Sequence, residues 1–169
     1  ENAVDLKTCR DVVVSQNNAH TYRTTNFQSS GSDGTVFVVH YDPINIWFLH
    51  NDIYDGHNGL RNNGSVQTYF IGNVVHDIYH DPADTAYNPG NTWMSGQGII
   101  SCATDTLYAV NNTFYNVDAG IGYPGGGTHR MIISNNIIAN LNHPSHHVSI
   151  LLGSVSYYSV LEKNLFYQP

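Results

Sequence analysis

Asparagine recurs in one local frame along this chain, at Asn17, Asn51, Asn73, Asn112, Asn136 and Asn164. Three residues before each stands Val14, Phe48, Phe70, Ala109, Ile133 or Leu161, and two residues after it Ala19, Ile53, Val75, Phe114, Ile138 or Phe166. All of these flanking residues are apolar, which predicts two short strands meeting at a corner with their apolar sides inward. One strand–Asn–strand unit cannot bury its apolar side alone. The units must stack, and stacking builds a solenoid. A buried corner amide is costly unless its donors and acceptors are engaged. Identical amides stacked above one another engage each other, which goes beyond the ordinary use of Asn in turns.

The frame extends further. Four residues after the asparagine stand Thr21, Asp55, Asp77, Asn116, Asn140 and Gln168, a second polar column at the end of the second strand. Three residues after it stand His20, Tyr54, His76, Tyr115, Ala139 and Tyr167, which alternation along a strand turns outward. A third strand follows a small residue in GTVFVVH from Gly34, GLRNN from Gly59, GIISCA from Gly98 and GIGYP from Gly120. AVDLK from Ala3 and VSILL from Val148 fit the same slot. The asparagines are spaced 34, 22, 39, 24 and 28 residues apart. The shortest spacing suits a three-sided coil, and the longer ones require inserted loops. Only 11% of residues are charged and no 3.6-residue period is present, which argues for strands over helices. The chain is expected to be all-β, a single solenoid domain over residues 1–169. About six coils would give a stack on the order of 25–30 Å long.

Asn111–Asn112–Thr113–Phe114 and Asn135–Asn136–Ile137–Ile138 carry a specific likeness. The pattern resembles that of the right-handed parallel β-helix family, and the resemblance covers nearly the whole chain. It implies a right-handed parallel β-helix with an asparagine ladder. The family includes pectate and alginate lyases, polygalacturonases, phage tailspikes and surface adhesins, so the fold does not select a function.

Composition narrows the partners. Six Lys plus Arg and a net charge of −7 argue against nucleic acid, which needs basic clusters. No apolar run reaches membrane-spanning length. Glu1 opens directly on strand-like sequence and Pro169 follows NLFYQ, with neither a signal peptide nor a capping helix in view. An uncapped solenoid leaves open strand edges. The expectation is therefore a partial chain with further coils in a longer protein, or end-to-end self-association. Cys9 and Cys102 lie in different coils and read as free thiols. Abundant Tyr and Asn with little charge lean toward a secreted or cell-surface, carbohydrate-facing protein.

Three clusters carry chemistry. In ENAVDLK, Val4 and Leu6 turn inward, so Asp5 and Lys7 face outward near Glu1; His40 and Arg61 follow on the next third-strand segments, with Asp33 and Asp42 nearby. The second cluster gathers His50, Asp52, Asp55, His57, His76, Asp77, His80, Asp81 and Asp84 at matching corners of consecutive coils. His and carboxylate together suit a divalent metal, or a sugar-binding face. The third is His143, His146 and His147 in a Pro-containing loop. Two insertions, 81–97 and 123–130, add Tyr87, Trp93, Tyr123 and Arg130 as substrate-binding candidates, because long solenoid loops build binding faces and aromatic rings stack on sugars.

The polygalacturonase signature is absent, which weakens a hydrolase built on paired carboxylates. The resemblance to polysaccharide lyases implies β-elimination on an acidic extracellular polysaccharide. Lys7 or Arg61 would take the C5 proton of a uronate, and His40 or a tyrosine would protonate the leaving oxygen. Calcium would sit among Asp5, Asp33, Asp42, Asp55 and Asp77, against the substrate carboxylate. The rival expectation is a non-catalytic solenoid: an adhesin, a tailspike-like stalk or a filament subunit.

Overall fold

The computed structural model describes residues 2–23, 34–79, 96–122, 130–142, 149–152 and 159–168. The strands follow one another in threes. The first three are β1 (Val4–Lys7), β2 (Arg10–Ser15) and β3 (Asn18–Tyr22); the next are β4 (Thr35–His40), β5 (Ile44–Leu49) and β6 (Asp52–Gly56). After them come β7 (Asn58–Asn63), β8 (Gln67–Ile71) and β9 (Val74–Ile78), then β10 (Gln97–Cys102), β11 (Thr106–Val110) and β12 (Thr113–Val117). The series continues with β13 (Ala119–Gly122), β14 (Arg130–Ser134) and β15 (Ile137–Leu141), and closes with β16 (Val160–Glu162) and β17 (Leu165–Tyr167). No described residue is helical.

Each strand pairs in parallel with the strand one turn of the chain away, which builds three stacked sheets. The first has the order β1-β4-β7-β10-β13, the second β16-β14-β11-β8-β5-β2, and the third β17-β15-β12-β9-β6-β3. Ile150 bridges Ile121 in parallel and so continues the first sheet by one position. This arrangement is a β-solenoid, as the asparagine frame predicts.

The asparagine ladder lies at the corner between the second and third sheets. Each of the first five asparagines donates its backbone N–H and one Nδ2 hydrogen to the Oδ1 of the next, at 2.9–3.1 Å. The second Nδ2 hydrogen of Asn51, Asn73, Asn112, Asn136 and Asn164 goes back to the carbonyl of Val14, Phe48, Phe70, Ala109 and Ile133 respectively. Those carbonyls belong to the inward positions that the sequence frame marks three residues ahead of each asparagine. The backbone carbonyls of Asn17, Asn51, Asn73, Asn112 and Asn136 accept from the first residue of the next rung's third-sheet strand. Asn51, Asn73, Asn112 and Asn136 are therefore buried with their polar atoms satisfied.

Beside the ladder run columns of left-handed backbone. The residue preceding each ladder asparagine has φ between 54° and 67°: Gln16, His50, Gly72, Asn111, Asn135 and Lys163. Thr21, Asp55, Asp77, Asn116 and Asn140, the second polar column, also have positive φ. Asp and Asn tolerate this conformation better than other side chains, which explains their recurrence there. Polar contact links the second column too, with Asn116 donating to Asp77 and Asn140 to Asn116.

Inside the solenoid, aromatic and aliphatic side chains align rung upon rung. Phe48 lies 5.2 Å from Phe37 and 6.1 Å from Phe70, and Phe70 lies 6.5 Å from Phe114. Most flanking residues of the frame are core residues, but Leu161 and Phe166 are 50% and 49% exposed, since the last described rung is covered from one side only. The interior also holds polar groups that apolar alternation does not reveal. Thr35, Asn58 and Gln97 form a second short ladder, and Asn62 accepts from Ser65 at 2.7 Å.

The glycine in the second position of β7, β10 and β13 is a packing requirement. A Cβ on Gly98 would lie 2.4 Å from Phe114 Cδ1 and 2.8 Å from the Gly120 carbonyl oxygen. Contacts this short force the core ring or the backbone to move. Gly98→Ala is expected to lower unfolding free energy by about 1–3 kcal/mol in urea denaturation, as overpacking does.

Candidate functional site

The outer face of the first sheet carries the charged cluster. Val4 pairs with Phe37 and Leu6 with Val39, so these residues pack inward while Asp5, Lys7, Val38 and His40 alternate outward. Register sets Lys7 beside His40, and Val38 beside Arg61 on the following strand. Asp5 is the hub: its Oδ2 lies 2.9 Å from Lys7 Nζ and its Oδ1 2.6 Å from His40 Nε2. Burial works against ionisation of Asp5, but hydrogen bonds from Lys7 and His40 outweigh it and hold the carboxyl below its ordinary value of 3.8.

Tyr41 completes the cluster, and the sequence reading did not single it out. Its ring stacks on the His40 imidazole at 4.3 Å, and its backbone holds φ +64°. A bulky residue pays a conformational penalty in that region. The same corner position holds Thr8, Gly64 and Ala103 on other rungs, all with positive φ, so the corner geometry imposes the angle and the ring exploits it.

The other candidates are dispersed. Arg61 shares the outer face but stands two strands from Asp5, with Val38 between them. Asp42 sits at the corner beyond His40, where its N–H donates to the Gly64 carbonyl at 2.7 Å. Arg130 opens β14 in the second sheet, on a different side of the solenoid. Asp55 and Asp77 lie at the left-handed corner of the third sheet. Asp55 binds Arg23 at 2.6 Å, and that guanidinium also lies over the Tyr79 ring. Asp33, Tyr87, Trp93 and Tyr123 fall outside the described residues, as do Glu1, His80, Asp81, Asp84, His143, His146 and His147.

A calcium site is not assembled by the described residues. No three His, Cys, Asp or Glu side chains among them converge to hold a metal. Cationic or amide partners already occupy Asp5, Asp55 and Asp77.

The acidic and imidazole cluster on the third sheet resolves, among the described residues, into a hydrogen-bonded chain. His76 Nε2 meets Asp52 at 3.2 Å and its Nδ1 meets Asp77 at 2.7 Å. His20, Tyr54 and His76 stack in a column with centroids 4.7 Å apart. His57 leaves this surface altogether and is buried at 1% exposure. Cys9 and Cys102 are free thiols. Burial pushes the Cys102 thiol up, partly countered by the Arg61 charge.

The outer face of the second sheet is of another kind. Trp47, Tyr69 and Tyr108 lie in register and stack at 3.8 and 4.6 Å, within 11° of parallel. Each ring covers its neighbour's face, so the column presents ring edges rather than the open faces on which a sugar stacks.

The chain matches no family model, no curated protein and no solved structure.

Asp77 gives this surface a pH signature. The His76 hydrogen bond, opposed by burial and reinforced by Asn116, lowers its pKa below 3.8. A depressed carboxylate stabilises the fold above its unfolded pKa, and the contribution is lost as pH falls through the folded value. Asp77→Asn fits the left-handed backbone and keeps an acceptor for Asn116. It is expected to lower the melting temperature at neutral pH and to flatten its fall below about pH 4, so that variant and wild type converge in acid.

Proposed function

We propose that the chain is a right-handed parallel β-helix of about six coils, secreted or displayed at a cell surface. Its first-sheet outer face binds an acidic polysaccharide and cleaves it by β-elimination. The observation that carries this reading is the Asp5 carboxylate held between Lys7 and His40, with Tyr41 stacked on the imidazole.

That geometry redistributes the roles. Lys7, 2.9 Å from Asp5, is assigned to neutralise a uronate carboxylate rather than to remove a proton. Arg61 extends the positive strip along the stack for a neighbouring carboxylate. Asp5 orients His40 through Nε2, leaving Nδ1 to act as the base. His40 takes the C5 proton, the electron pair forms the C4–C5 double bond, and the C4–O bond breaks. The Tyr41 hydroxyl gives its proton to the leaving oxygen, and solvent carries the proton from imidazolium back to tyrosinate. Neutralising the carboxylate acidifies C5, which is where the cations act on the barrier. No step requires calcium.

A second reading is a structural solenoid without chemistry, favoured by the apolar outer columns of the second sheet. Incubation with pectate, alginate and related uronans, followed through the ultraviolet absorbance of the unsaturated product, separates the two. The lyase reading expects product, a loss of kcat of about a hundredfold or more in His40→Ala and in Tyr41→Phe, and a raised KM in Lys7→Ala. No unsaturated product on any uronan contradicts it.

A further inference from the structure

The second sheet turns two adjacent columns outward. One is tall and aromatic through Trp47, Tyr69 and Tyr108; beside it runs a short aliphatic column through Leu49, Ile71 and Val110. None of these six belongs to the continuous core, whose second-sheet members are the alternate residues. The first and third sheets carry charge on their outer faces, whereas these columns meet none until Glu162 on the last strand. The rings are also fixed, because Trp47 Nε1 donates to Asn45 Oδ1 at 2.7 Å and each following ring stacks on the last. Toward one end the tall column stays apolar through Val13, which is 59% exposed.

We propose that this face docks a second copy of the chain, side by side, about a two-fold axis parallel to the stack. Such an axis, placed between the columns, lays the tall column of each copy over the short column of the other. Ridge then meets groove on both halves of the interface, as an isologous contact requires. The copies share one rung spacing, so in the three central rungs the edges of Trp47, Tyr69 and Tyr108 meet Leu49, Ile71 and Val110 of the other copy, as in a dry sheet-to-sheet interface. A partner without that repeat falls out of register within a few rungs, and a charged partner leaves its charges unpaired against the uncharged central rungs. Six strands at about 4.8 Å and two columns about 7 Å wide give on the order of 400 Å² per copy. That size fits a weak, concentration-dependent dimer.

Sedimentation velocity across a concentration series tests this. The wild type is expected to pass from monomer to dimer and stop there. Tyr69→Lys, which places a charge at the centre of the face and outside the core, is expected to raise the dimer Kd at least about thirtyfold. Tyr115→Lys, exposed on the third sheet, is expected to leave the dimer unchanged. Cooperative melting well above the temperature of the measurement and unchanged circular dichroism spectra verify that both variants fold. A protein that stays monomeric into the millimolar range, a dimer indifferent to Tyr69→Lys, or an assembly that grows past two copies by end-to-end stacking overturns the proposal.

Discussion

The structure depends on one requirement: an amide buried at the corner of an interior rung must have its hydrogens and its oxygen engaged without water. Stacking identical asparagines meets it with a directional rule. Nitrogen donates forward to the next rung's Oδ1, and the remaining Nδ2 hydrogen reaches back to a carbonyl of the rung before. Each bond thus constrains the axial spacing and the register together. Once register is fixed at that corner, Phe48 must come to lie over Phe70, Phe114 must reach Phe70 across the interior from the third sheet, and the side chains that alternate outward must form columns. The charged cluster of the first sheet follows from the same constraint, because Lys7 meets His40 only where the rungs are in step.

Much of this was legible in the chain. The asparagine frame identified the corner, the inward positions on both sides of it and the outward column from His20 to Tyr167. It also marked the polar column from Thr21 onward, though not its cause, which is the left-handed backbone at Thr21, Asp55, Asp77, Asn116 and Asn140. The glycines in the second position of β7, β10 and β13 were visible as small residues. That Gly98 has no room for a methyl group is a fact about Phe114 and Gly120, which lie more than a dozen residues away in the chain.

The candidate site was legible only in part, and for a physical reason. Alternation along a strand tells which side chains face out, and so it set Asp5, Lys7, His40 and Arg61 on one face. It does not tell how the strands of consecutive turns align, and alignment decides that Asp5 bridges Lys7 and His40 while Arg61 stands two strands away. Of the carboxylates grouped as calcium ligands, Asp5 stands on the first sheet, Asp42 at the corner after it, and Asp55 and Asp77 at the left-handed corner of the third sheet, while Asp33 lies outside the described residues. Tyr41 carried no motif; its signal was its place directly after the outward His40, at a corner where other rungs use Thr8, Gly64 and Ala103. The interior Asn62 and Asn58 escaped because polar residues in an alternating strand read as outward, whereas buried partners such as Ser65 and Thr35 retain them.

If the ladder organises the fold, its rungs must be unequal in energetic weight, since only the interior amides are sealed from water. Removing the Asn112 side chain strands the Asn73 N–H and Nδ2 and the Phe70 carbonyl, all buried. Asn17 is exposed, and its lost bonds are replaced by water. Paired urea denaturation of Asn112→Ala and Asn17→Ala is the most direct measurement. The account predicts a loss of at least about 3 kcal/mol for Asn112→Ala and under about 1 kcal/mol for Asn17→Ala. Similar losses at the two positions, or a loss below about 1 kcal/mol at Asn112, would contradict it.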